Sequence, residues 1–148
     1  MVANTITREI LIDAPLDVVW SVVTDPVHVG SWFGDSASID LQPGGEAVFT
    51  WDAHGAVRAR IERVEPPHYF AFSWARRVGV EPAEGESTLV EFTLSKDDDR
   101  TRLQVVESGF DELALPETER AKHFGENSQG WDLELAELRA YIAGLMAR

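Results

Sequence analysis

Glu107 is the acidic side chain whose position promises more than solvation. It continues the alternating face of Leu103 and Val105, so on the two-residue period of a strand it points inward. A carboxyl group placed there must be paired or hydrogen-bonded. Arg8, Arg58 and Arg60 are its potential partners, although Arg58 and Arg60 alternate with the core face and fit solvent equally well. Held in an apolar cavity, such a group could act as general acid or base in the enolisation or cyclisation of a polyketide-like substrate. The alternative is a strand-end glutamate that reaches water or caps a backbone N–H. Glu107 is the single catalytic candidate.

Other chemistries lack their residues. The histidines at 28, 54, 68 and 123 share no ligand spacing with one another or with a carboxylate pair, so no metal site is expected. No Gly-x-Ser-x-Gly elbow, phosphate-binding glycine loop or dinucleotide fingerprint occurs, and Pro43-Gly44-Gly45 reads as a turn, so no cofactor is expected. The absence of cysteine removes thiol catalysis and disulfides.

The aromatic residues offer a different capability. Five tryptophans stand in 148 residues. Trp32, Trp51, Trp74 and Trp131 fall at inward positions or at a pocket lip, with Phe33, Phe49, Phe72, Phe110 and Phe124 beside them and Ser128 as a polar neighbour. Rings of this kind give flat apolar walls to a ligand while each indole N–H seeks a partner. The competing reading is that they fill the interior completely.

Positioning them requires a long element. From Pro116 to Arg148, Phe124, Trp131, Leu135, Leu138, Ile142 and Leu145 follow at seven, four, three, four and three, one stripe of an amphipathic helix. Pro116 suits a first helical position, and Glu117 and Glu119 suit its dipole. Ala136, Ala140 and Ala143 suggest close approach in the later half. Gly125, Asn127, Ser128, Gln129 and Gly130 interrupt the earlier half, which reads as the lining of a cavity; the alternative is that Asn127 and Gln129 simply point to water.

Upstream, Ile6, Ile10 and Ile12 alternate as a strand, and Pro15 to Thr24 and Pro26 to Ser31 read as two short helices. Trp32-Phe33-Gly34 is then either a corner plug or a pocket lip. From Ser36 the period is two. Ala37-Ile39-Leu41, Ala47-Phe49-Trp51, Val57-Ala59-Ile61, Phe70-Phe72-Trp74, Thr88-Val90-Phe92-Leu94 and Leu103-Val105-Glu107 give six strands separated by turns. The order predicts an α+β fold, a seven-stranded curved antiparallel sheet around a long C-terminal helix, with two short helices after the first strand.

Ile10-Leu11-Ile12-Asp13-Ala14-Pro15-Leu16-Asp17-Val18-Val19-Trp20, Trp32-Phe33-Gly34, Glu107-Ser108-Gly109-Phe110 and Gly130-Trp131 followed by Leu135, Leu138 and Tyr141 resemble, in this order, the SRPBCC superfamily. The branch is the one named for homologues of the activator of heat-shock protein 90 ATPase. The resemblance spans nearly the whole chain and implies one domain over 1–148 with the helix-grip (START-like, Bet v 1-like) architecture and a hydrophobic cavity under the long helix. It does not imply one function, because relatives include lipid and hormone binders, polyketide cyclases, antibiotic-sequestering proteins, stress proteins and co-chaperones.

The formal net charge of −13 argues against nucleic-acid or anionic-membrane partners. Without a basic start followed by an apolar run, the expected location is the cytoplasm. The expected function is binding of a small hydrophobic, aromatic, polyketide-like or lipid-like molecule, by a monomer or homodimer. A polyketide cyclase-like enzyme using a buried carboxylate and a chaperone cofactor are the alternatives.

Overall fold

The computed structural model describes residues 4–147. Strand β1 (Thr5–Ile12) is followed by α1 (Leu16–Thr24) and α2 (Pro26–Trp32), then by β2 (Ser36–Ile39), β3 (Glu46–Trp51), β4 (Gly55–Glu65), β5 (Tyr69–Ala75), β6 (Ser87–Asp97) and β7 (Arg100–Ser108). A single 3₁₀ turn, Phe110–Glu112, leads to α3 (Glu117–Met146). All seven strands pair antiparallel in one sheet, ordered β1-β7-β6-β5-β4-β3-β2. The chain meanders from β2 to β7 and closes on β1, the architecture that the alternation predicts.

Period-two patterning explains which face is covered. Val90, Phe92 and Leu94 on β6 and Leu103 and Val105 on β7 are at most 2% exposed. Against them α3 lays Trp131, Leu135, Leu138 and Ile142, and each such aliphatic side chain contributes about 1.5–3 kcal/mol when fully buried. Phe124 and Leu145 extend the stripe, partly buried. The helices α1 and α2 close the end of the sheet. Asp25 caps α2 by accepting the Val27 N–H at 2.9 Å, and Thr101 of β7 donates to the Ala14 carbonyl at 2.8 Å.

Four local expectations are revised. Pro116 is the residue before α3, and the last helical residue is Met146; Arg148 lies outside the described residues. Leu41 falls beyond β2 and is 39% exposed, because the strand already ends at Ile39. Ala136, Ala140 and Ala143 face solvent, since the apolar stripe of α3 is narrow and packs through its larger side chains. Gly125 and Gln129 are also exposed and do not line the cleft beside α3.

Candidate functional site

Glu107 lies inside the fold with no exposed surface. The register accounts for its company: Thr88 of β6 stands opposite Trp74 of β5, and Glu107 of β7 stands opposite Val90, diagonal to Thr88. Across the gap, α3 brings Asn127 and Trp131 over the same spot. Oε2 accepts from Thr88 Oγ1 at 2.6 Å, Trp74 Nε1 at 2.9 Å and Asn127 Nδ2 at 2.9 Å, while Oε1 accepts from Trp131 Nε1 at 2.9 Å. Every one of these contacts is a donor.

None of the anticipated arginines takes part. Arg8 binds Asp132 and Ser128, Arg58 binds Glu46 and Glu81, and Arg60 binds Glu62. For Arg58 and Arg60 the reason is geometric, since they alternate with buried Ala59 and Ile61; Arg8 shares the inward face of Ile6 and Ile12 and stands opposite Val105, but Asp132 and Ser128 of α3 engage it instead. Glu107 is therefore compensated by convergent hydrogen bonds, which are costly to leave unmade in a low-dielectric interior.

Three of those four donors belong to the wall of a cleft of about 590 Å³. It opens between the first half of α3 and the far ends of β3, β4 and β5, beside Phe33 at the end of α2. Phe33 organises the rings: it lies nearly parallel to Trp74 and to Trp131, with centroids 5.6 Å from each, and meets Trp51 edge-on at 5.1 Å. Its placement depends on Gly34, whose φ is +78° and where an added Cβ would stand 2.7 Å from the Thr50 carbonyl. Trp131 packs edge-on against Phe92 at 6.0 Å. The floor is thus solid, and the open space lies above it as a cleft, not as a void enclosed in the core.

Of the residues expected to touch a ligand, Phe33, Trp51, Trp74 and Trp131 line the cleft. Glu107 sits behind that wall. Trp32 is the corner plug, donating to the Val22 carbonyl at 2.9 Å. Phe49 and Phe72 are buried in the sheet core next to Trp74. Phe110 and Phe124 pack edge-on at 5.0 Å and close the beginning of α3. Ser128 accepts a bond from Arg8 at 2.8 Å, which ties α3 to β1 outside the cleft. An inward strand position does not distinguish a core ring from a cleft ring.

His123 and Glu134 also line the cleft and were not foreseen as site residues. A signal existed: 123, 127, 130, 131 and 134 run along one helical edge, bordering the apolar stripe. Burial pushes the His123 imidazole below its ordinary value, against the Glu107 and Glu126 carboxylates, which raise it, with Arg76 adding to the depression. Burial pushes Glu134 above the ordinary carboxylate value, countered by the Trp51 indole and the Gly34 backbone N–H and assisted by Glu137 and Asp35. Eleven residues separate the two along α3, about 16 Å of helix, too far for both to serve one reacting atom. Among the described residues no group of three His, Asp or Glu could hold a metal ion. Among the described residues no helix is long and apolar enough to cross a membrane.

The family model described as "Activator of Hsp90 ATPase homolog 1-like protein" matches residues 13–143. Among solved structures, DynU16, from the dynemicin biosynthetic locus, is 26% identical with a TM-score of 0.77 over 95% of this chain. The match covers 48% of DynU16, so the chain spans about half of that protein's length. CalU16 from Micromonospora echinospora is 28% identical with a TM-score of 0.70, over 97% of this chain and 79% of that one. The Aha1 dimer from Colwellia psychrerythraea shares the fold at 15% identity, with a TM-score of 0.73 over 93% and 94% of the two chains. No curated protein matches.

Proposed function

Since the chain belongs to the family of activator of Hsp90 ATPase homolog 1-like proteins, whose members share a fold and not one activity, we propose that it binds a small, flat, mainly apolar molecule in the cleft between its sheet and α3. One observation carries this reading: Phe33, Trp51, Trp74 and Trp131 converge on about 590 Å³ of accessible space, and two of the indoles are fixed by hydrogen bonds to buried Glu107. Pre-formed, mostly apolar clefts with a few polar groups are what small-molecule sites look like. The resemblance to a superfamily that includes polyketide cyclases, with the likeness to DynU16 from a biosynthetic locus beside it, supports a ligand of fused-ring or polyketide character.

Binding ranks above catalysis because Glu107 does not line the cleft and His123 and Glu134 stand too far apart to act together. The family's description as homologues of an activator of Hsp90 ATPase keeps a chaperone partner as the second reading, favoured by a stoichiometric complex with Hsp90 in a pull-down. The first reading is tested by titrating fused-ring aromatics such as 1-naphthol against intrinsic tryptophan fluorescence and melting temperature. Saturable quenching with a rise in melting temperature is expected, and both should vanish in Gly130→Leu. Gly130 lines the cleft, and an added Cβ there meets nothing within 4 Å, so the variant should fold and fill the site. Ring binding that survives Gly130→Leu would place it elsewhere and overturn the proposal.

A further inference from the structure

Among the described residues two buried side-chain polar atoms lack a hydrogen-bond partner, Arg120 Nε and Glu134 Oε2. Only the second belongs to the cleft wall. A half-buried carboxyl with an unsatisfied oxygen is costly in a free protein, and the cost is recovered when a ligand supplies the missing donor. The other oxygen accepts from the Trp51 indole N–H at 3.3 Å, and the Gly34 backbone N–H also acts on the carboxyl. The terminal torsion of a glutamate is broad, so a small rotation presents Oε2 to the cleft.

The surroundings specify the donor. Asp35 and Glu137 add negative potential at Glu134, and the whole chain carries −13. Phe33 and Trp51 stand edge to face at 5.1 Å beside it, and their π faces attract a cation. Arg76, Arg77, His54 and His123 also line the cleft, but none of them is among the groups that shift Glu134; Arg76 acts on His123, eleven residues from Glu134 along α3, and is itself paired with Glu86 at 2.6 Å. We infer that the ligand is an aromatic ring bearing a protonated amine, the ring lying against the indoles and the ammonium donating to Glu134. This rests on the binding reading above and adds the charge of the ligand to it.

The test is calorimetric titration of the intact chain with 1-naphthylmethylamine, 1-naphthylmethanol, 1-methylnaphthalene and 1-naphthoic acid. The amine should bind about tenfold more tightly than 1-methylnaphthalene, the gain of one charge-assisted hydrogen bond. In Glu134→Gln that preference should fall to less than about threefold. The analogue series on the unaltered chain reads the preference without any variant. Equal affinities across the series, an alcohol or acid tighter than the amine, or an amine preference that persists in Glu134→Gln overturns the inference and leaves the cleft as a neutral-ring site. Failure of every compound to bind overturns both the inference and the binding proposal.

Discussion

At the scale of single residues, Glu107 and Glu134 solve the same problem in opposite ways. Glu107 is sealed and accepts from Thr88, Trp74, Asn127 and Trp131, so its burial is compensated and its neighbours are locked. Replacing it by Gln puts an NH2 where an acceptor is needed and strands at least one donor. Glu107→Gln should therefore cost on the order of 2–3 kcal/mol, read as a lower midpoint of urea unfolding; an unchanged midpoint would show that the donors find other partners. Glu134 is compensated only in part, by the Trp51 indole and the Gly34 N–H, with Oε2 left without a partner. Its folded pKa lies above the ordinary 4.5, so the folded chain holds this proton more tightly than the unfolded one. That contribution is complete below the unfolded value and is lost as pH rises through the folded value, so at neutral pH the ionised group is a burden. Glu134→Gln should raise the melting temperature of the free protein at pH 7, and the gain should shrink near pH 4. A gain independent of pH would mean that the group's ionisation is not the cause. A stabilising substitution at a ligand contact is the usual signature of a site that trades stability for binding.

The elements show why some of this was legible. Period two on β5, β6 and β7 places Trp74, Thr88 and Glu107 on one face before any coordinates exist, and steps of three and four on α3 place Trp131, Leu135, Leu138 and Ile142 on the facing stripe. The bonds among them follow from register, which alternation alone does not fix across strands. The edges of α3 were harder to read: His123 and Glu134 border the stripe, where a polar residue looks the same whether it meets water or a cleft. The glycines were also ambiguous. Gly125 and Gly130 both leave open space around a notional Cβ, but Gly125 is exposed and Gly130 lines the cleft. Gly125→Ala should stabilise the chain by about 0.5–1 kcal/mol through helix propensity and leave ring binding untouched, as urea unfolding and fluorescence titration would report. Weaker ring binding in Gly125→Ala would extend the site around α3 to a face that the cleft does not reach.

At the scale of the whole molecule, what separates Trp51 and Trp74 in the cleft from Phe49 and Phe72 in the core is the curl of the sheet, which lifts its far corner away from α3 while the centre stays packed. No local pattern encodes that curl; it sums small twists over seven strands. The same geometry decides how charge should bear on binding. A molecule with 26 acidic and 13 basic residues surrounds itself with a negative field that salt screens, the Debye length shrinking from about 10 Å at 0.1 M to about 3 Å at 1 M. A protein partner drawn to that surface through its own basic groups should dissociate as salt is added. A neutral ring held by burial against Phe33 and the indoles should not, because apolar transfer involves no counterions. The affinity for 1-methylnaphthalene should thus change by less than about twofold between 0.05 and 1 M sodium chloride, whereas that for 1-naphthylmethylamine should weaken severalfold as the field around Glu134 is screened. Calorimetry at the two salt concentrations checks both. A neutral ring that loses affinity in step with the amine would locate binding on the charged exterior and remove the cleft from the account of what this protein does.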